Sequence, residues 1–189
     1  MVRILEEYAL KNNVPIMQKD GIEFLINFIK ENDIKNILEI GTAIGYSAIR
    51  MCLISKDIKV TTIERDNERY NEAVKNVKRF NLENQIDLIY GDALEVEIDG
   101  SYDLIFIDAA KAQNIKFFNK YEPLLKKGRY IITDNLNFHG LVNSDEKMSR
   151  NLKQLVRKIN DYILFLKENK NYETSFYEVG DGISISVKR

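Results

Sequence analysis

Four acidic positions that close runs of β-forming residues carry the chemistry open to this chain: Glu64, Asp92, Asp108 and Asp134, the last followed by Asn135. Taken singly, each is at home in a loop or helix cap, where Asp and Asn are common. Together they point to a site, because crowded carboxylates repel unless a cation or ligand donors compensate them. Asp108, Asp134 and Asn135 offer three hard oxygen ligands with no thiolate or imidazole, a set suited to Mg²⁺, Ca²⁺ or Mn²⁺ rather than Zn²⁺. Three protein ligands leave room for water and substrate, which suits catalysis better than a structural staple. Glu64 follows Gly41 at about the 20-residue spacing of a ribose-binding acid. Such a carboxylate accepts hydrogen bonds from both ribose hydroxyls and repels a 2′-phosphate. Asp92 and Ala93 can then border the base, and Ser47 can hold an anionic tail.

These residues need a frame that brings strand ends together. The stretch Asn36–Ser47 supplies its corner: the apolar run Ile37-Leu38 with Ile40 reads as a buried strand, breaks at Gly41, loops through Gly45 and restarts as a helix at Ser47. A strand, a glycine turn and a helix N-terminus make a binding corner in α/β proteins. The spacing is G-x-x-x-G rather than the dinucleotide pattern G-x-G-x-x-G. Further strands are expected at Lys59–Glu64, Ile86–Tyr90, Tyr102–Ile107 and Arg129–Thr133. Between them lie a helix capped by Asp66, carrying Tyr70, Ala73, Val74 and Val77, and a helical stretch through Leu125. Before them, a short helix within residues 1–19 precedes a second, started by Asp20 with Glu23 in a capping-box-like arrangement and carrying Ile22, Leu25, Ile26 and Ile29. A long helix is expected from about Ser144 to Glu168, with Leu152, Leu155, Val156, Ile159 and Ile163 on one face. Thr174–Val179 and Ile183–Val187 then form a hairpin about Gly180-Asp181-Gly182. The expectation is an α/β fold: a mostly parallel sheet covered by helices on both faces, with an antiparallel hairpin at one edge.

Composition narrows the function classes. The 189 residues fit one domain, 1–189, and the net charge of −1 gives no global footprint for nucleic acid. No apolar stretch approaches membrane-spanning length, and the acidic N-terminus lacks the apolar core of a signal peptide. One cysteine, Cys52, suits a reducing cytoplasm and reads as a core residue rather than a nucleophile.

Ile37–Ser47, then Glu64, then Tyr102-Asp103-Leu104-Ile105-Phe106-Ile107-Asp108-Ala109-Ala110-Lys111, then Asp134-Asn135, together resemble the cation-dependent O-methyltransferases, which include catechol and caffeoyl-CoA O-methyltransferases. Val179-Gly180-Asp181-Gly182-Ile183 resembles them too. Within that family the short N-terminus, Val14-Pro15-Ile16-Met17 and the length are most similar to the small bacterial tRNA 5-hydroxyuridine methyltransferases. The resemblance implies a Rossmann-like, seven-stranded S-adenosylmethionine-dependent methyltransferase fold, Mg²⁺ or another divalent cation, a homodimer, and the anticodon loop of tRNA as partner. A small catechol-like or hydroxycinnamoyl acceptor is the alternative. It places Met17, Glu39, Gly41, Ser47, Glu64, Asp92, Ala93 and Asp108 at the cofactor, and Asp108, Asp134 and Asn135 at the metal. Lys111 becomes the general base beside Asp108.

Other residues weigh less. His139, the lone histidine, reads as a surface residue, in a loop where some relatives carry arginine. Lys147, Arg150, Lys153, Arg157 and Lys158 make either a basic face for an RNA backbone or the solvated side of an amphipathic helix. Phe138 and Tyr46 could stack on a base or a phenol, or simply pack. Two readings from other classes remain: a cofactor-binding module without turnover, against which the intact ligand set and Lys111 argue, and a nicotinamide dehydrogenase, which has no evident need for a metal set at its strand ends.

Overall fold

The computed structural model describes residues 2–136 and 149–189. Seven strands form one sheet: β1 (Asn36–Ile40), β2 (Lys59–Glu64), β3 (Ile86–Tyr90), β4 (Tyr102–Ile107), β5 (Leu125–Thr133), β6 (Tyr172–Tyr177) and β7 (Ile183–Lys188). Their spatial order is β3-β2-β1-β4-β5-β7-β6. The first five are parallel, while β7 runs antiparallel to both β5 and β6. The chain winds outward from β1 to β3 and then returns to lay β4 on the other side of β1. That reversal opens a crevice beyond the carboxyl ends of β1 and β4, where open α/β sheets bind ligands.

The helices are α1 (Arg3–Asn12), α2 (Lys19–Glu31), α3 (Tyr46–Cys52), α4 (Asn67–Arg79), α5 (Asn114–Tyr121) and α6 (Arg150–Glu168). Strand alternation divides the core between two faces. Ile37 of β1 with Leu104 and Phe106 of β4 meet α1, α2, α3 and the end of α4. Leu38 and Ile40 with Ile105 and Ile107 meet α5 and α6. With both faces covered, β4 is buried along its whole length.

The five parallel strands lie where the sequence places them, and the hairpin forms with its first strand at Tyr172–Tyr177 rather than Thr174–Val179, so that five residues, 178–182, join it to β7, with four further adjustments. First, α2 starts at Lys19, and Asp20 does not cap it; its carboxylate takes the N–H groups of Gly21 and, across the fold, Gly180. Second, β5 begins at Leu125 rather than Arg129, because Leu125 pairs with Tyr102 ahead of a register shift. Third, α6 begins at Arg150 behind a Ser149 cap, and its most buried side chains are Ile159, Tyr162 and Leu166. The apolar stripe is thus rotated toward a tyrosine whose hydroxyl bonds Thr133. Fourth, Val74 faces outward, although Ala73 and Val77 beside it are buried. Asp66 does cap α4, accepting from the Arg69 N–H. Phe138, His139, Ser144 and Lys147 lie outside the described residues.

Candidate active site

A cavity of about 590 Å³ opens at the carboxyl ends of β1, β2, β3 and β4. Its size is ordinary for a small-molecule site. Gly41, Ser47, Glu64, Asp92, Ala93, Asp108, Lys111 and Asn135 line it, and Met17 closes it from the segment between α1 and α2. The sequence-derived candidates therefore meet in one place, with two qualifications. Asp134 sits just beneath the wall, and Glu39 lies under the loop without reaching the cavity.

Gly41 is required by the protein itself. Its φ is +102°, and a Cβ there would stand 2.1 Å from the Asp108 carbonyl oxygen. The ends of β1 and β4 therefore touch through a glycine, and this contact sets where Asp108 emerges. Gly45, with φ +83°, turns the chain into α3. Beneath the turn Glu39 is fully buried, with Ser47 Oγ 2.5 Å from Oε1 and Thr62 Oγ1 2.5 Å from Oε2. Thr42 extends the chain of hydroxyls, 2.6 Å from Thr62. Burial pushes the Glu39 carboxyl up to about 8, against the two hydroxyls. Glu39 therefore reaches a ligand through hydroxyls, by way of Ser47 or of Thr62 and Thr42.

Glu64 is fixed on both sides. Its Oε2 accepts the Ala43 N–H at 2.8 Å and its Oε1 accepts the Asp66 N–H at 2.8 Å. Each oxygen keeps a further acceptor site, the arrangement needed to receive two neighbouring hydroxyls. Asp92, at the far end, accepts the Leu94 N–H through Oδ1 at 2.8 Å.

At the near end the acidic set converges. Asn135 Nδ2 donates to Asp108 Oδ1 at 2.9 Å and to Asp134 Oδ2 at 3.0 Å. Asn135 holds this place with φ +67°, a left-handed conformation that Asn tolerates better than most residues. The other oxygen of Asp134, Oδ1, is buried with no hydrogen-bond partner among the described residues. Burial, followed by repulsion from Asp108, raises Asp134 to about 8. Burial raises Asp108 to about 6, with Lys111 and Asn135 opposing and Asp181 adding to the rise. An orphaned buried oxygen beside a second carboxylate is what a hard cation would satisfy, so the residues fit such an ion. No cluster of three or more Asp, Glu, His or Cys side chains in metal-holding geometry occurs among the described residues, so the third ligand would be the neutral amide of Asn135.

The whole chain, residues 1–189, matches the family model described as O-methyltransferase. The chain belongs to the O-methyltransferase family. This family member is 30% identical over 196 aligned residues to the caffeoyl-CoA O-methyltransferase of Medicago sativa, covering 96% of this chain and 78% of that protein. It superposes with a TM-score of 0.95 on a Staphylococcus aureus protein provisionally named a caffeoyl-CoA O-methyltransferase, at 45% identity and covering 100% and 92% of the two chains. The O-methyltransferase of Bacillus cereus, crystallised with S-adenosylhomocysteine, superposes with a TM-score of 0.85 at 25% identity, covering 100% and 90%.

Sequence reasoning missed some residues at this candidate site. Asp181 lines the cavity, nearly buried, and its charge bears on both Asp108 and Asp134. Its sequence signals were a Gly-Asp-Gly turn that reads as a hairpin and the resemblance of Val179–Ile183 to the family, neither of which assigned Asp181 a place at the site. The turn docks through the Asp20 contact to Gly180, while Gly182 accepts the Leu136 N–H. Thr42 and Thr62 form the relay under the glycine turn, and their types gave no signal. Cys52 is buried, and burial pushes its thiol up to about 12, in keeping with a core role.

Proposed function

We propose that the chain transfers the methyl group of S-adenosylmethionine to an acidic hydroxyl in a reaction that needs a divalent cation, Mg²⁺ first, and that the acceptor is 5-hydroxyuridine at the tRNA wobble position. The observation that carries the chemistry is the orphaned Asp134 Oδ1 beside Asp108 and Asn135, at the opposite end of one cavity from Glu64 and Asp92.

When bound, the cofactor supplies an activated methyl group, and the cation supplies acidity and a fixed position for the acceptor oxygen. The chain's residues supply the rest. Glu64, immobilised by two backbone N–H groups, takes the ribose hydroxyls, and Asp92 and Ala93 border the adenine. Ser47, held by Glu39, and the Gly41 turn receive the methionine end. Asp108, Asp134 and Asn135 would hold the cation. Lys111 stands close enough for its charge to lower the pKa of both carboxylates, and once it has given up its own proton its neutral amine takes the acceptor's proton at Nζ. Fixing donor and acceptor in one cavity can itself contribute about 7–11 kcal/mol in favourable cases.

The tRNA reading rests on the resemblance to the bacterial enzymes and on one feature of α6. That helix packs beside the Lys111–Gln113 turn, with Arg150, Lys153, Arg157 and Lys158 exposed. Cations next to an acceptor mouth suit a phosphate backbone. The second reading, a small phenolic acceptor, is favoured by the names of the curated relatives.

The test incubates purified protein, Mg²⁺ and S-adenosylmethionine with tRNA bearing 5-hydroxyuridine, followed by mass spectrometry of its nucleosides, with catechol and caffeoyl-CoA in parallel. Conversion to 5-methoxyuridine, abolished by chelation, is expected. Methylation of a phenol with none of the tRNA would move the assignment to the second reading.

A further inference from the structure

The adenine end of the cavity holds an ion pair that the reaction does not use. Asp92 directs its two oxygens differently: Oδ1 is fixed by the Leu94 N–H at 2.8 Å, while Oδ2 faces Arg65 Nη1 at 3.6 Å. That separation is too long for a good hydrogen bond and short enough for attraction, so Oδ2 retains its acceptor capacity. Both side chains line the cavity, and both are partly exposed at its mouth. Arg65 follows Glu64 directly, and the backbone there is pinned because the Asp66 N–H is bonded to Glu64 Oε1. The guanidinium therefore rises from a fixed point next to the ribose-binding carboxylate and reaches across to the residue at the base.

We infer that Arg65 is a positioning residue for purine selection: it holds Asp92 so that Oδ2 receives the exocyclic amine of a 6-aminopurine and rejects a 6-oxopurine. The inference rests on the cofactor reading given above and adds a positioning residue to it. An amine donates to Oδ2, whereas a 6-oxo group presents a second acceptor to a carboxylate and is repelled. Sites built to hydrogen-bond a substrate group discriminate strongly against an analogue that cannot make the bond. Arg65 supplies the opposite charge that holds the Asp92 carboxylate in place at the cavity, and its planar fork can lie along the face of the base. Arg69 lines the same cavity without pairing to Asp92, which makes it the natural control.

The experiment measures, by calorimetry, the affinities of S-adenosylhomocysteine and its deaminated analogue S-inosylhomocysteine. The intact protein should prefer the adenine compound by about 30-fold or more, as one hydrogen bond to a charged group allows. Asp92→Asn should remove most of that preference. Arg65→Ala should cut it about 5-fold, Arg65→Lys should restore part of the loss, and Arg69→Ala should leave it unchanged. If Arg65→Ala weakens both ligands equally, or Arg69→Ala lowers the ratio as much, the selection role is overturned. If the intact protein binds neither ligand, the cofactor reading itself fails; binding of both without preference overturns the selection role alone.

Discussion

The two ends of β4 carry the same residue type in opposite electrostatic states. At the amino end, Asp103 is surrounded by donors: the Asn36 N–H at 2.9 Å, the Lys35 N–H at 3.1 Å and Lys126 Nζ at 2.9 Å, with Arg129 Nε at 3.6 Å. Although burial works to raise it, these partners hold its carboxyl below the ordinary value. At the carboxyl end, Asp108 meets one amide donor, while its neighbour Asp134 keeps an oxygen with no partner among the described residues. Both lie above the ordinary value, chiefly through burial. Asp103 is a finished interaction that ties β1, β4 and β5 together. The Asp108 and Asp134 pair is unfinished among the described residues, and a cation is what the proposed reaction would add to it.

The sharpest way to break that comparison is to remove one acid from each end. Asp134→Ala should lower kcat/KM for methyl transfer by about 1,000-fold or more, equivalent to about 4 kcal/mol of transition-state stabilisation. It should leave the affinity for S-adenosylhomocysteine within a few-fold, because Glu64 and Asp92 are untouched. Unchanged turnover would remove the metal chemistry from the proposal. Asp103→Ala should do the reverse, lowering stability by about 2–4 kcal/mol in denaturant titration, since it strands Lys126 and two backbone donors. The folded fraction should keep its full turnover.

A smaller effect separates the ends by pH. A carboxyl raised in the folded state binds more protons there than when unfolded, so stability falls as pH rises through its window. For Asp134 that window runs from 3.8 to about 8. Without a cation, thermal stability should therefore decline between pH 5 and pH 8, by more than about 1 kcal/mol, and Asp134→Asn should flatten the decline. Mg²⁺ needs ionised ligands, so its affinity should rise over the same range. Asp103 acts with the opposite sign: its contribution is present above its unfolded value of 3.8 and is lost as pH falls through its lowered folded value. Asp103→Asn should flatten only the acid limb of the stability curve.

The contrast between these ends also explains what the sequence could tell. Asp108 and Asp134 stand where β-forming runs stop, so their convergence could be expected from strand order in a parallel sheet. Asp103 lies inside such a run and looked like an ordinary strand residue; its partners come from residues 35, 36, 126 and 129, which no local pattern connects. The beginning of β5 was hidden for a related reason. Leu125-Lys126-Lys127-Gly128 has no apolar alternation, and it is a strand because of its pairing with β4 and the Lys126 bond to Asp103. Asp181 arrives through a hairpin turn whose docking depends on Asp20, far away in sequence. Local rules carried the strands and their ends, whereas contacts distant in sequence decided the remainder.

The smallest expected effect concerns Glu39, an acid buried beneath this rim and an intermediate case between the two ends. Its carboxyl is buried like Asp134 but has hydroxyl partners on both oxygens, and at about 8 it is neutral at pH 7. Thr62 donates to Oε2 in this structure; with the carboxyl neutral and protonated at Oε2, the Thr62 hydroxyl turns to accept and then donates to Thr42, while Ser47 still donates to Oε1. Glutamine can make the same pattern with its amide. Glu39→Gln should therefore change stability by less than about 1 kcal/mol and S-adenosylhomocysteine affinity by no more than a few-fold. It should also remove part of the decline in stability toward pH 8, because a group raised from 4.5 contributes to that decline with the same sign as Asp134. Glu39→Ala, which leaves Ser47 and Thr62 without their partner, should cost about 2–3 kcal/mol and weaken the ligand through a displaced Ser47. Equal damage from both variants would mean that the carboxylate charge matters at this position, and would place Glu39 with the unfinished acids rather than between the two ends.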